Sequence, residues 1–295
     1  MILKLLFLKI AITITMSDFK CFTKATILFS AFFAIFMLGG CQQHDSIESL
    51  KKVSHGNELT KNSEQLLLAI KKKNTSAIKK INQKISSYSE KKLQKNLQDD
   101  VQKKVFWINF YNAQVQIILG NDSTLYDDRN DFFSDKLIKI GKKELSLDDI
   151  EHGILRKSNF KYGLGLIRNP FSSDFVKSMA VDQLDYRIHF GLNCGAKSCP
   201  PIRIYEPENF HRQISNNAEI FLNKISQFDS NENILRTTAL FQWFSGDFNG
   251  KKGIEKILKY YGVVPEQSEN FEIEYQDYDW SLRLAYFVNS NQTAS

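Results

Sequence analysis

The chain of 295 residues is 42% hydrophobic and 24% charged, an ordinary globular composition that excludes wholesale disorder and a collagenous repeat. Its net charge is +6, and half of that excess sits in the first forty residues, where Lys4, Lys9, Lys20 and Lys24 face Asp18 alone. The remainder is only mildly basic, so no nucleic-acid partner is expected. With 23 Phe and 11 Tyr there is ample material for a core.

Residues 1–40 read as an export leader. Lys20 and Lys24 precede an apolar run, Ala25 to Leu38, that is shorter than the ~20 residues a membrane-crossing helix needs. Because leaders begin near their charged region, Met16 is the expected start. The run ends in Leu38-Gly39-Gly40-Cys41, which resembles the lipobox of bacterial lipoproteins. That resemblance implies an acylated Cys41 as the first mature residue and a membrane as partner, since two acyl chains suffice for stable anchoring. Gln42, where no Asp stands, implies the outer membrane, with the protein facing the periplasm. No later run reaches 18 apolar residues, so attachment is expected through the lipid alone.

Residues 41–62 are polar and read as a tether. Over 63–104, Leu66, Leu67, Ile70, Ile78, Ile81, Ile85 and Tyr88 recur at helical spacing between lysine-rich faces, which predicts an amphipathic helical arm. A domain is expected over 105–283, with 284–295 as a tail. Its first segment, Phe106 to Gly120, predicts a helix apolar nearly all round and therefore buried, with Asn109, Asn112 and Gln116 as one polar stripe. Buried amides need partners, so the stripe either braces adjacent backbone or floors a cleft.

Ser146 to Arg156 predicts a helix with a Ser cap and acids in its first turn, with Asp149 three residues after the cap. His152 and Arg156 then share a face. Phe160 to Asp182 reads as loops. In Tyr186 to Asn193, Ile188, Phe190 and Leu192 alternate with polar residues and predict a strand. Ile202 to Tyr205 is strand-like, Glu208 to Phe228 predicts a helix, and Gly253 to Tyr261 a shorter one. The expected fold is α+β: a helix-rich single domain around a small sheet containing Tyr186–Asn193, preceded by the helical arm.

Chemistry concentrates where Cys194 and Cys199 share one loop, and three readings compete. In an exported chain a disulfide is the default, although so short a loop gains only about 2 kcal/mol from closure. Alternatively Cys194 is a nucleophile, with His189 or His152 as base and Glu151 or Asn112 as orienter. Thirdly, His189, Cys194 and Cys199 with Glu151 or His152 offer metal-ligand types, but the spacing matches no familiar zinc motif. No metal and no cofactor is expected. Asn109, Asn112, Arg156 and Asn193 complete the candidate set as a binding or structural polar network. His44, His55 and His211 lie in tether or surface-helix contexts.

Three strings occur in order: Phe106-Trp107-Ile108-Asn109-Phe110-Tyr111-Asn112, Ile150-Glu151-His152-Gly153-Ile154-Leu155-Arg156, and Arg187-Ile188-His189-Phe190-Gly191-Leu192-Asn193-Cys194-Gly195-Ala196-Lys197-Ser198-Cys199-Pro200-Pro201. Together they resemble the family called domain of unknown function 547, over roughly Val105 to Leu282. Asp247-Phe248 and Tyr278-Asp279-Trp280-Ser281-Leu282 resemble its closing pattern, while Phe110 and Gly191 depart from its usual Leu and Ala. The resemblance implies membership and carries neither reaction nor substrate. A looser likeness to papain-like and transglutaminase-like cysteine hydrolases has the right residue types. Their nucleophile opens an early central helix, whereas the corresponding helix here carries Asn109 and no thiol. Two functions are therefore expected in competition. One is a cell-envelope lipoprotein that binds a peptide, glycan or protein, or assembles with it. The other is a thiol-dependent hydrolase or transferase acting on peptide or cell-wall amide bonds.

Overall fold

The computed structural model describes residues 54–158 and 172–288. Residues 1–40, read above as an export leader, and Cys41, expected to be lipidated, lie outside those residues. Helix α1 (Glu58–Lys71) begins where the Asn57 side chain accepts from Leu59 N and Thr60 N, while Thr60 Oγ1 accepts from Asn57 N. Leu59, Thr60 and Asn62 are buried, so the polar stretch expected over 41–62 stops being a tether by Asn57. Helices α2 (Thr75–Ser86) and α3 (Glu90–Asn96) follow. Leu59, Leu66, Leu67, Ile85 and Leu93 share one hydrophobic cluster with Val105, Phe106 and Trp107. The segment 63–104 is thus a wall of the core and not an appended arm.

Helix α4 (Asp100–Asn121) runs through that core, with every residue from Lys104 to Gln116 buried. Its Asp99 cap accepts from Gln102 N. Beyond it come α5 (Arg129–Ser134) and a hairpin of β1 (Ile138–Ile140) with β2 (Lys143–Leu145), paired Ile138 to Leu145. The helix predicted from Ser146 is a π-helical turn, Asp149–Leu155. The reciprocal cap is present, with Ser146 N donating to Asp149 Oδ2 (2.9 Å) and Asp149 N to Ser146 Oγ (3.0 Å). The stretch read as loops over 160–182 contains α6 (Asp174–Met179), capped by Ser173; residues 160–171 of it lie outside the described residues.

Tyr186–Asn193 is not a strand, and neither sheet contains it. Tyr186–Phe190 is a 3₁₀ turn capped by the Asp185 side chain. The alternation misleads because there is no wet face: Ile188 joins the first cluster, Phe190 the second, and His189 between them is also buried. The second cluster lies around α7 (Phe210–Ile225), α8 (Leu240–Trp243) and α9 (Gly250–Tyr260). Its sheet pairs β3 (Gln227–Asp229) antiparallel with β4 (Ile234–Thr237), which pairs parallel with β5 (Glu272–Tyr275). Ile202–Tyr205 forms only a bridge, Ile202 to Phe287, with Ile202 N donating to Tyr286 O (2.7 Å) and Val288 N to Ile202 O (3.0 Å). Leu284 and Phe287 pack on the first cluster, so the domain continues past 283 into the expected tail. Among the described residues no helix is long and apolar enough to cross a membrane.

Candidate functional site

The amide stripe of α4 does the work of a sheet neighbour for chain segments that have none. Asn109 Nδ2 donates to Tyr205 O (2.9 Å) and its Oδ1 accepts from Tyr205 N (3.0 Å). Asn112 does the same for Gly191 O (2.9 Å) and Asn193 N (2.8 Å), and Gln116 Oε1 accepts from Ala285 N (2.7 Å). Asn193 in turn donates to Pro200 O (2.7 Å) and accepts from Gly195 N (3.1 Å), which shapes the loop between them. Asn109, Asn112 and Asn193 are wholly buried and bound to backbone, so they brace the site from behind and do not floor it. Satisfying these backbone groups matters because each orphan costs about 1–3 kcal/mol.

That bracing holds the thiol loop. Gly195 has φ +91°, a conformation that favours glycine, and a Cβ there would lie 3.1 Å from Leu119 Cδ1, a tight contact. Cys199 N donates to Ala196 O (3.1 Å), and Cys194 N to Cys199 Sγ (3.1 Å). The Tyr278 hydroxyl lies 3.6 Å from Cys194 Sγ and 3.2 Å from Cys199 Sγ. Both cysteines are free thiols, so the expected disulfide is not the arrangement found. Cys194 is partly exposed and Cys199 buried. The Cys199 thiol beside it draws the Cys194 pKa down, whereas burial pushes that of Cys199 well up.

The π-turn contributes the acid–imidazole edge. Gly153 admits it against α6, since a Cβ would meet Val176 Cγ1 at 2.4 Å. Arg156, fully buried, donates from Nη1 to His152 Nδ1 (2.9 Å) and from Nε to Asp247 Oδ2 (2.6 Å). A guanidinium only donates, so His152 carries its hydrogen on Nε2, 3.5 Å from Asp148 Oδ1. Asp247 Oδ2 also meets His189 Nε2 at 2.8 Å, and a carboxylate there assigns that nitrogen the hydrogen. Burial alone would raise the Asp247 pKa; the bonds from His189 and Arg156 overcome it and hold it at about 2. Burial lowers the pKa of His189 and favours its neutral form. Phe244 stacks on the His189 ring at 4.1 Å and lies 4.6 Å from the Arg156 guanidinium carbon. Tyr111 OH donates to Glu151 Oε2 (3.2 Å).

These parts meet at a cleft of 570 Å³. Asp148, Glu151 and His152 line it, as do His189, Cys194 and Cys199. Part of its lining is an aromatic wall: Trp243 and Trp280 stack at 5.7 Å, and Tyr278 lies within 4.9 Å of both rings. The structure therefore gathers Cys194, His189, His152 and Glu151, while Asn109, Asn112, Asn193 and Arg156 stand behind the surface. No imidazole is hydrogen-bonded to Cys194 Sγ among the described residues; the proposed thiol–histidine pair is replaced by a thiol–thiol–phenol cluster. Among those residues no group of three His, Cys, Asp or Glu is placed to hold a metal.

Sequence reasoning left Asp247, Tyr278, Trp243 and Trp280 without roles. A buried Arg156 calls for a carboxylate partner, which was the available signal for Asp247. Residues 94–222 match the model of a family described as protein of unknown function, DUF547, which supports that domain family over this stretch. The match begins before Val105 and ends short of Asp247, so the aromatic wall lies beyond it. No curated protein and no solved structure matches the chain.

Proposed function

We propose that this protein is a lipid-anchored cell-envelope protein whose cleft binds a peptide, glycan or protein segment. The leader ending in Leu38-Gly39-Gly40-Cys41 supports the anchor. The observation that carries the binding reading is the packed rings of Trp243, Tyr278 and Trp280 lining the same 570 Å³ cleft as Asp148, Glu151 and His152. Flat rings complement the apolar face of a sugar or a hydrophobic side chain, and the acidic edge orients hydroxyl or cationic groups. The test is a tryptophan-fluorescence titration with disaccharide–peptide fragments of peptidoglycan. Binding that weakens about tenfold or more in Trp280→Ala supports the reading. Absence of binding, or equal affinity in the variant, overturns it. Incorporation of a labelled fatty acid that disappears in Cys41→Ala checks the anchor.

A second reading, a thiol-dependent hydrolase or transferase acting on amide bonds, is favoured by Cys194 in the cleft wall with its pKa drawn down. Cleavage of the same fragments, followed by mass, separates the two. Under the enzymatic reading Cys194→Ser keeps binding and loses turnover.

A further inference from the structure

We infer that Cys194 and Cys199 form a dithiol exchange site, in which Cys194 attacks a disulfide entering the cleft and Cys199 resolves the product. The inference uses the cleft described above but is independent of which ligand the ring wall holds.

The geometry divides the labour between the two sulfurs. Cys194 lies in the cleft wall and is partly exposed, so an outside disulfide can reach it. Cys199 is 3% exposed and sits close against Cys194, whose backbone N–H donates to its sulfur at 3.1 Å. A resolving thiol needs that placement: shielded from outside reagents, adjacent to the first sulfur. One hydroxyl, that of Tyr278, serves both sulfurs and can donate to whichever is the anion. The loop is rigid, braced by Asn193 and by the left-handed Gly195. The directions of the two pKa shifts agree, Cys194 down and Cys199 up, which makes Cys194 the first thiolate. Attack on an amide would call for an imidazole on the sulfur, and Cys194 has a thiol and a phenol in that place instead.

The chemistry balances with a disulfide R–S–S–R as the named oxidant. The Cys194 thiolate forms a bond to one sulfur of the substrate, the substrate's S–S bond breaks, and R–S⁻ leaves to take a proton from water. Cys199 releases its proton and attacks the Cys194 sulfur; the mixed disulfide breaks and the second R–S⁻ leaves. The substrate gains two electrons, and the pair becomes a Cys194–Cys199 disulfide.

The test uses the reduced full chain and glutathione disulfide under anaerobic conditions, followed by intact mass and peptide mapping. Read on the peptides carrying Cys194 and Cys199, the expected course is a transient glutathione adduct on Cys194, then a Cys194–Cys199 bridge with two hydrogens lost and two glutathiones released per cysteine pair. In Cys199→Ser the adduct on Cys194 accumulates. In Cys194→Ser, modification of Cys199 is slower by about tenfold or more. A wild-type chain that stops at the adduct, or that is modified first at Cys199, overturns the inference. So does a bridge that reduced glutathione cannot reopen, which marks a static crosslink. Should a serine variant lose its circular-dichroism signal, the order of modification in the wild type decides alone. Ligand capture is read separately in Trp280→Ala, so failure of exchange and failure of binding are told apart.

Discussion

His189 Nε2 and Asp247 Oδ2 lie 2.8 Å apart, with side chains 1% and 0% exposed, and the segment bearing His189 joins the two hydrophobic clusters. Arg156 reaches the same oxygen, so a single carboxylate atom ties together the π-turn, the 3₁₀ turn and the loop before α9. Four predictions concern this core and its supports.

Acid destabilises the protein in two steps. Asp247 is held at about 2, below the 3.8 of an open chain, so its contribution is whole above pH 3.8 and is lost as pH falls toward 2. His189 is held below 6.5, so the unfolded chain takes up its imidazole proton first and stability begins to decline as pH drops below 6.5. Urea midpoints measured from neutral pH downward show both limbs. In His189→Gln the upper limb disappears while the lower one persists.

Asp247→Asn strands the Arg156 guanidinium in the core and costs about 3–5 kcal/mol, read by urea denaturation. Adding Arg156→Met removes the stranded charge and restores a large part of the loss. A double variant no more stable than Asp247→Asn alone excludes this account of the pair.

Asn112→Ala leaves Gly191 O and Asn193 N without partners, at about 1–3 kcal/mol each. Its signature is local: hydrogen exchange at the Asn193 amide accelerates by more than global stability accounts for. Asn112→Asp costs at least as much, because a carboxylate oxygen then faces Gly191 O.

Gly153→Ala drives a methyl into Val176, a branched and packed side chain, and costs about 1–3 kcal/mol. In the double variant with Val176→Ala the two losses are less than additive, since the second change makes room for the first. Strict additivity in a thermal-denaturation cycle contradicts the contact.

Much of this was legible from residues alone where local chemistry decides. The Ser146–Asp149 reciprocal cap, the buried helix around Asn109 and the thiol loop closed by Gly195 and Pro200 are short-range features, and the structure has each. Tyr186–Asn193 was misread because alternation signals a strand only when one face is wet, and here Asn112 supplies the backbone partners that a neighbouring strand normally gives. The cleft was half legible: Glu151, His152, His189 and Cys194 were named, but their partners Asp247 and Tyr278 are 58 and 84 residues distant from His189 and Cys194. No periodicity spans such separations.

The Tyr278 hydroxyl that faces both sulfurs also fixes an order of events. Translation proceeds from the amino end, so Cys199 leaves the ribosome 79 residues ahead of Tyr278. Until the carboxyl-terminal segment is laid across the loop, the two sulfurs lack that hydroxyl. A nascent or clipped chain ending before Tyr278 therefore presents the same pair of cysteines bare, and a thiol reagent would distinguish newly made molecules from finished ones.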